Sequence, residues 1–242
     1  MEWTDDAIIL DTRRHGETSL IVTMLSREHG RYAGLARGGA GKTKRGILQP
    51  GNQVRAQWRA RLQEHLGTFT CELVSAHAGY AMATPLHLSA LSSACAVTAT
   101  TLPEREPHPA VYDGLSVLLT SLQGDDWPSV YVKWELGVLG ELGFGLDLSE
   151  CAVTAERENL SHVSPKSGRA VSTAAAEPYK GRLLVLPPFL LGGGGDHQQV
   201  LDGLKLTGFF LNRQVYGDNG QAQPDARARF VQTLRNLVDQ DR

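Results

Sequence analysis

Ala36-Arg37-Gly38-Gly39-Ala40-Gly41-Lys42-Thr43 resembles a phosphate-binding Walker loop, with alanine in place of its first glycine. That chemistry needs a helix opening at Lys42 and Thr43, whose amides and dipole hold the phosphates. Lys44, Arg45 and Gly46 follow, and Pro50-Gly51 arrives within seven residues of Thr43. No helix of useful length fits, and no apolar strand ends in an aspartate suited to magnesium. The segment is better explained as a flexible Gly/Lys/Arg hairpin loop that meets nucleic-acid phosphates without hydrolysing a nucleotide.

Metal and covalent chemistry fare no better. Cys71, Cys95 and Cys151 are far apart, Thr154 stands where a CxxC pair needs its second cysteine, and the eight histidines are dispersed. A tetrahedral zinc site does not close from such a set. No G-x-S-x-G elbow is present, and Asp5-Asp6 and Asp125-Asp126 sit where a chain terminus and a helix start account for them. We therefore expect no enzyme, no cofactor and no metal.

The basic residues are the informative ones. The 242-residue chain has a formal net charge of -2, but the first 80 residues hold eleven basic and eight acidic residues, the remainder thirteen and eighteen. Arg27, Arg31, Arg37, Lys42, Lys44, Arg45, Arg55, Arg59 and Arg61 fall in a stretch whose only acid is Glu28. Such a positive field attracts polyanions or an acidic partner. We take Arg31, Arg37, Lys42, Lys44, Arg45, Arg55, Arg59 and Arg61 as candidates to neutralise phosphates, and Tyr32 as a candidate ring for base stacking.

Strands must carry these side chains. Ala7–Leu10, Leu20–Leu25, Arg31–Ala36, Val54–Arg61 and Thr68–Val74 are short runs separated by turn residues. In the fourth, strict alternation sends Val54, Ala56, Trp58 and Ala60 to the core and Arg55, Gln57, Arg59 and Arg61 to water. Phe69, Cys71 and Leu73 share a face of the fifth. Five such strands predict a small closed barrel over residues 1–80.

From Thr84 the period becomes helical. Helices are expected over Pro85–Thr100, with Leu88, Leu91 and Cys95 on one stripe, over Pro109–Leu122, from Asp126 or Trp127 to Gly143, from Asp196 toward Tyr216, and from Pro224 onward. Residues 146–195, rich in proline and glycine, read as loops with little strands. The fold class is α+β with more than one domain: a five-stranded barrel over 1–80, then a mainly α-helical domain over 81–242 with that irregular insertion. No apolar run reaches the roughly 18 residues of a membrane span, and Met1–Asp6 holds three acids and no base, unlike a secretory leader. A cytoplasmic, nucleoid-associated protein is expected, with no membrane partner.

Glu17-Thr18-Ser19-Leu20, Glu28-His29-Gly30-Arg31, Ala36-Arg37-Gly38 and Leu48-Gln49-Pro50-Gly51 resemble, in this order, the N-terminal signature of the bacterial RecO recombination mediator family. The resemblance continues through Trp134-Glu135-Leu136, Leu139-Gly140-Glu141-Leu142-Gly143-Phe144, Asp147, Cys151 and Val163-Ser164-Pro165 with Gly168. It implies an OB barrel, a helical second domain, binding of single- and double-stranded DNA, and annealing of complementary strands. It also implies work with RecR to load RecA onto DNA covered by single-strand-binding protein. Many members resemble a four-cysteine zinc module where this chain keeps only Cys151, so a zinc-less insertion is expected. Lys133, Arg213 or Arg235 is the candidate cation for the acidic C-terminal tail of single-strand-binding protein. The competing reading is an interaction adaptor whose basic barrel grips an acidic protein and touches DNA incidentally.

Overall fold

The computed structural model describes residues 1–217 and 220–240. Strands β1 (Glu2–His15), β2 (Ser19–Ser26), β3 (Gly30–Ala36), β4 (Gln53–Arg59) and β5 (Thr68–Ser75) close into a barrel in the order β1-β2-β3-β5-β4. β1 is long enough to serve two partners. Glu2–Ile8 pairs antiparallel with β4 and Ala7–His15 with β2, and a bulge between Ile9 and Asp11 bends the strand from one to the other. A single parallel pairing, Leu35 with Thr68, joins β3 to β5 and removes the last open edge.

Alternation along the strands fills the barrel. Ala7, Ile9, Val22, Met24, Val54, Ala56 and Trp58 are all buried in one cluster. Phe69 on β5 is buried as its alternation requires, whereas Leu73 is exposed. Leu73 still pairs in register with Val54, and the shift between Gln53 and Val54 lies just beyond it, at the end of β5.

Between β3 and β4 lies a short helix, α1 (Lys42–Ile47). Where the glycine content predicts a flexible loop, tertiary contacts hold a helix. Asn52, almost fully buried, donates from Nδ2 to the Gly46 and Ile47 carbonyls at 3.0 and 3.1 Å, and its Oδ1 accepts the Ala78 amide at 3.0 Å. Buried side-chain bonds of this kind terminate a helix too short to persist alone.

After β5 come α2 (His77–Ala81), α3 (Pro85–Thr101) and α4 (Pro109–Ser121). Thr84 caps α3 by accepting the His87 amide at 3.1 Å. Leu91 and Cys95 are buried on α3, but Leu88 is 41% exposed: it lies in the first turn, outside the buried stretch that begins at Ala90. One compact unit contains residues 1–123 together with 224–230, so it extends past the barrel to include α3 and α4.

The other compact unit comprises residues 124–223 and 231–242. It holds α5 (Trp127–Glu141), a three-stranded sheet in the order β7-β6-β8, the short α6 (Thr173–Ala176) and α7 (His197–Phe210), which continues as a π-helical turn over Leu211–Tyr216. The sheet strands are β6 (Leu160–Val163), β7 (Ala170–Ser172) and β8 (Leu184–Val185), the little strands expected within 146–195. Asp196 caps α7 through the Gln199 amide at 2.8 Å, and Leu139, Val163, Val171, Leu206 and Phe210 share its core. The last helix, α8 (Asp225–Gln240), starts just after Pro224. The architecture is α+β, and no helix among the described residues is long and apolar enough to cross a membrane.

Candidate nucleic-acid interface

The predicted cations separate into two groups. Arg55 and Arg59 point outward from β4 as alternation requires, but β1 runs beside them and carries acids in register. Asp6 pairs with Arg55 at 2.9 Å. Glu2 accepts both Nε and an Nη of Arg59, at 3.0 and 2.9 Å. The Arg59 bond holds the Glu2 carboxyl below its ordinary range, and the carboxylates hold both guanidinium groups above theirs. Arg31 donates to the Leu102 carbonyl at 2.8 Å and to Glu104, and Arg27 is gripped by Asp113. These arginines already hold polar partners, so a phosphate must displace a carboxylate or a carbonyl to reach them.

The second group surrounds α1. Arg37, Lys42, Lys44 and Arg45 are exposed, and among the described residues none of them forms an ion pair. The loop before α1 is folded back on itself: Lys44 Nζ donates to the Arg37 carbonyl at 2.9 Å, and the Ala40 amide donates to Thr18 at 3.0 Å. A groove of about 190 Å³ runs between Arg14, at the end of β1, and Arg45 on α1, with Leu20, Ala40 and Gln49 also on its walls. Arg14 is absent from the sequence-derived set. Its signal is weak, since only the closed barrel brings the β1–β2 turn beside α1. Arg61 is exposed in the loop after β4, likewise without an ion pair among the described residues.

Tyr32 is corrected by the structure. Only 4% of it is exposed, and it sits edge-on to Trp3 and Trp58 with the Arg105 guanidinium 5.0 Å from its ring centre. It faces inward along β3 with Gly30, Gly34 and Ala36, and is no open stacking platform. Trp58 is core, as its alternation predicts, its indole donating to the Leu66 carbonyl at 3.1 Å.

Lys133 on α5 and Arg235 on α8 are exposed, while Arg213 is committed to the Pro165 carbonyl. Among the described residues no three His, Cys, Asp or Glu side chains gather as a metal set would. The Cys151 sulfur is buried and accepts the Ser172 amide at 3.2 Å.

Comparison with known proteins supplies the lineage. The family model "Recombination protein O N terminal" matches residues 1–77, and "Recombination protein O C terminal" matches residues 82–222. The chain belongs to the RecO family. A "DNA repair protein RecO" of Rhodospirillum centenum is 51% identical over 97% of this chain and 95% of its own length. The protein of that name from Rhodospirillum rubrum is 46% identical over the whole of both chains, and that of Mesorhizobium japonicum 48% over 97% and 94%. RecO membership ties the chain to DNA repair and recombination.

Proposed function

We propose that this RecO-family chain binds single- and double-stranded DNA through the acid-free cations around α1 and anneals complementary strands without hydrolysing a nucleotide. In this reading it acts with RecR to load RecA onto DNA covered by single-strand-binding protein, in the cytoplasm at the nucleoid. Residues 1–80 are the DNA-binding domain, and residues 81–242 meet protein partners. The observation that carries the reading is the set Arg14, Arg37, Lys42, Lys44 and Arg45, exposed at the end of β1, on a loop and on a short helix, with no ion pair to a carboxylate among the described residues. Point charges on mobile stems bind phosphates at any sequence, and that tolerance is what annealing needs. Pairing of the bases supplies the driving force once strand repulsion is lowered. Arg31, Arg55, Arg59 and Arg61 contribute in second place, after partner exchange where they hold a carboxylate. Lys133 and Arg235 are the exposed cations for the acidic tail of single-strand-binding protein, and Arg213 would have to leave the Pro165 carbonyl to join them.

One observation favours the adaptor reading: Arg27, Arg31, Arg55 and Arg59 each grip a carboxylate already, the chemistry by which an acidic protein would be held. Fluorescence annealing of two complementary oligonucleotides, with and without single-strand-binding protein and without nucleotide, separates the two. Annealing faster than the spontaneous rate is expected. Saturable protein binding with no acceleration would favour the adaptor.

A further inference from the structure

Where β1 begins, rather than where it ends beside α1, the barrel unit has a cavity of about 420 Å³ walled by Trp3, His29, Tyr32, Trp58 and Arg105. Trp58, Trp3 and His29 form a ladder of nearly parallel rings, with centroid separations of 6.0 and 4.4 Å and interplanar angles of 17° and 21°. Two features exceed what core packing requires. The buried Trp3 indole N–H has no acceptor among the described residues, although such a group normally finds one. Arg105 holds a left-handed backbone (φ +62°) while its guanidinium lies over Tyr32, and strain of this kind gathers at ligand sites. Glu2 and Glu28 also line the cavity, which disfavours an anion inside and suits a neutral flat ring. Glu2 is at the same time the partner of Arg59, so a cation waits beside the wall.

We propose that this cavity receives one unstacked base of a single strand, while the adjoining phosphate takes the place of the Glu2 carboxylate on Arg59. The inference rests on the DNA-binding reading above and adds to it a base subsite at the start of β1, apart from the phosphate-binding cations of α1.

The test compares, by fluorescence anisotropy, the full-length protein's binding to a labelled thymidine oligonucleotide and to an abasic oligomer of equal length. Stacking of one base on aromatic rings predicts at least about fivefold tighter binding of the thymidine strand. His29→Ala is expected to lose most of that preference while binding the abasic strand as before, and His29→Phe to keep it. Melting curves of both variants verify that they are folded. Equal affinity of the unmodified protein for the two strands would overturn the base subsite and leave phosphate binding standing. Binding of neither strand would overturn both.

Discussion

Glu2 and Arg59 stand directly opposite each other on β1 and β4, and the carboxylate takes two guanidinium bonds, at 2.9 and 3.0 Å. Two positions along, Gln57 donates to the same carboxylate, and Asp6 repeats the pairing with Arg55. The β4 face is therefore arginine-rich in composition yet close to neutral in net charge. Exposed pairs of this kind contribute little to stability, but they compete with phosphates for the same donors.

A salt titration measures that competition. Lys42→Gln with Arg45→Gln removes two cations that form no ion pair among the described residues, and is expected to lower the log–log salt slope of single-strand binding by about 0.7 per lost contact. Arg55→Gln with Arg59→Gln is expected to lower it by less, because those guanidiniums are partly neutralised before DNA arrives. An equal loss for the two pairs would show that Glu2 and Asp6 leave β4 fully available.

This division could not be read along the chain. Alternation in Val54–Arg61 places Arg55 and Arg59 outside and Trp58 inside, and both hold. The acids that answer them are some fifty residues away in sequence and meet them only through the β1–β4 register. Thr84 and Asp196 announce their helices because a cap is a local interaction. Helix α1 is invisible for the opposite reason: Asn52, outside it, supplies the bonds that end it, and is itself held by the Ala78 amide from farther along the chain. Tyr32 has the composition of a stacking residue, and its place opposite Trp3 and Trp58 exists only after closure.

Asn52 gives the next expectation. Asn52→Ala leaves the buried Ala78 amide and the part-buried Gly46 and Ile47 carbonyls without their partner, and a buried group left so costs about 1–3 kcal/mol unless water replaces the bond. A loss of roughly 2–4 kcal/mol in urea unfolding is expected. Because α1 carries Lys42, Lys44 and Arg45, single-strand affinity is expected to fall as well, under conditions where the variant remains folded. Unchanged affinity would mean that α1 keeps its place without this residue.

His77 sets a pH dependence. It opens α2 and is only 7% exposed, and burial lowers its pKa from the ordinary 6.5. The unfolded chain then binds a proton more readily than the folded one, so this contribution to stability is complete above pH 6.5 and is lost as pH falls from there through the lower folded value. His77→Gln is expected to flatten the stability profile on the acid side of pH 6.5, as followed by urea midpoints at stepped pH. A profile identical to that of the unmodified protein would assign the acid loss to other groups.

Gly67 tests how tightly the barrel end is built around its aromatic ladder. It has φ +66°, and a Cβ there would lie 2.4 Å from Trp58 Nε1 and 2.5 Å from the adjoining ring carbon. The ring cannot retreat freely, since it donates to Leu66 and is stacked with Trp3. Gly16 has nearly the same conformation, φ +63°, with nothing within 4 Å of a Cβ. Gly16→Ala therefore isolates the backbone term, about 1 kcal/mol, whereas Gly67→Ala adds an overpacking term of roughly 1–3 kcal/mol. Denaturant unfolding of the two variants gives the difference directly, and the Trp58 displacement is expected to shift tryptophan emission only in the second. Equal destabilisation would mean that the turn before β5 moves as a whole and that Trp58 is not clamped by it.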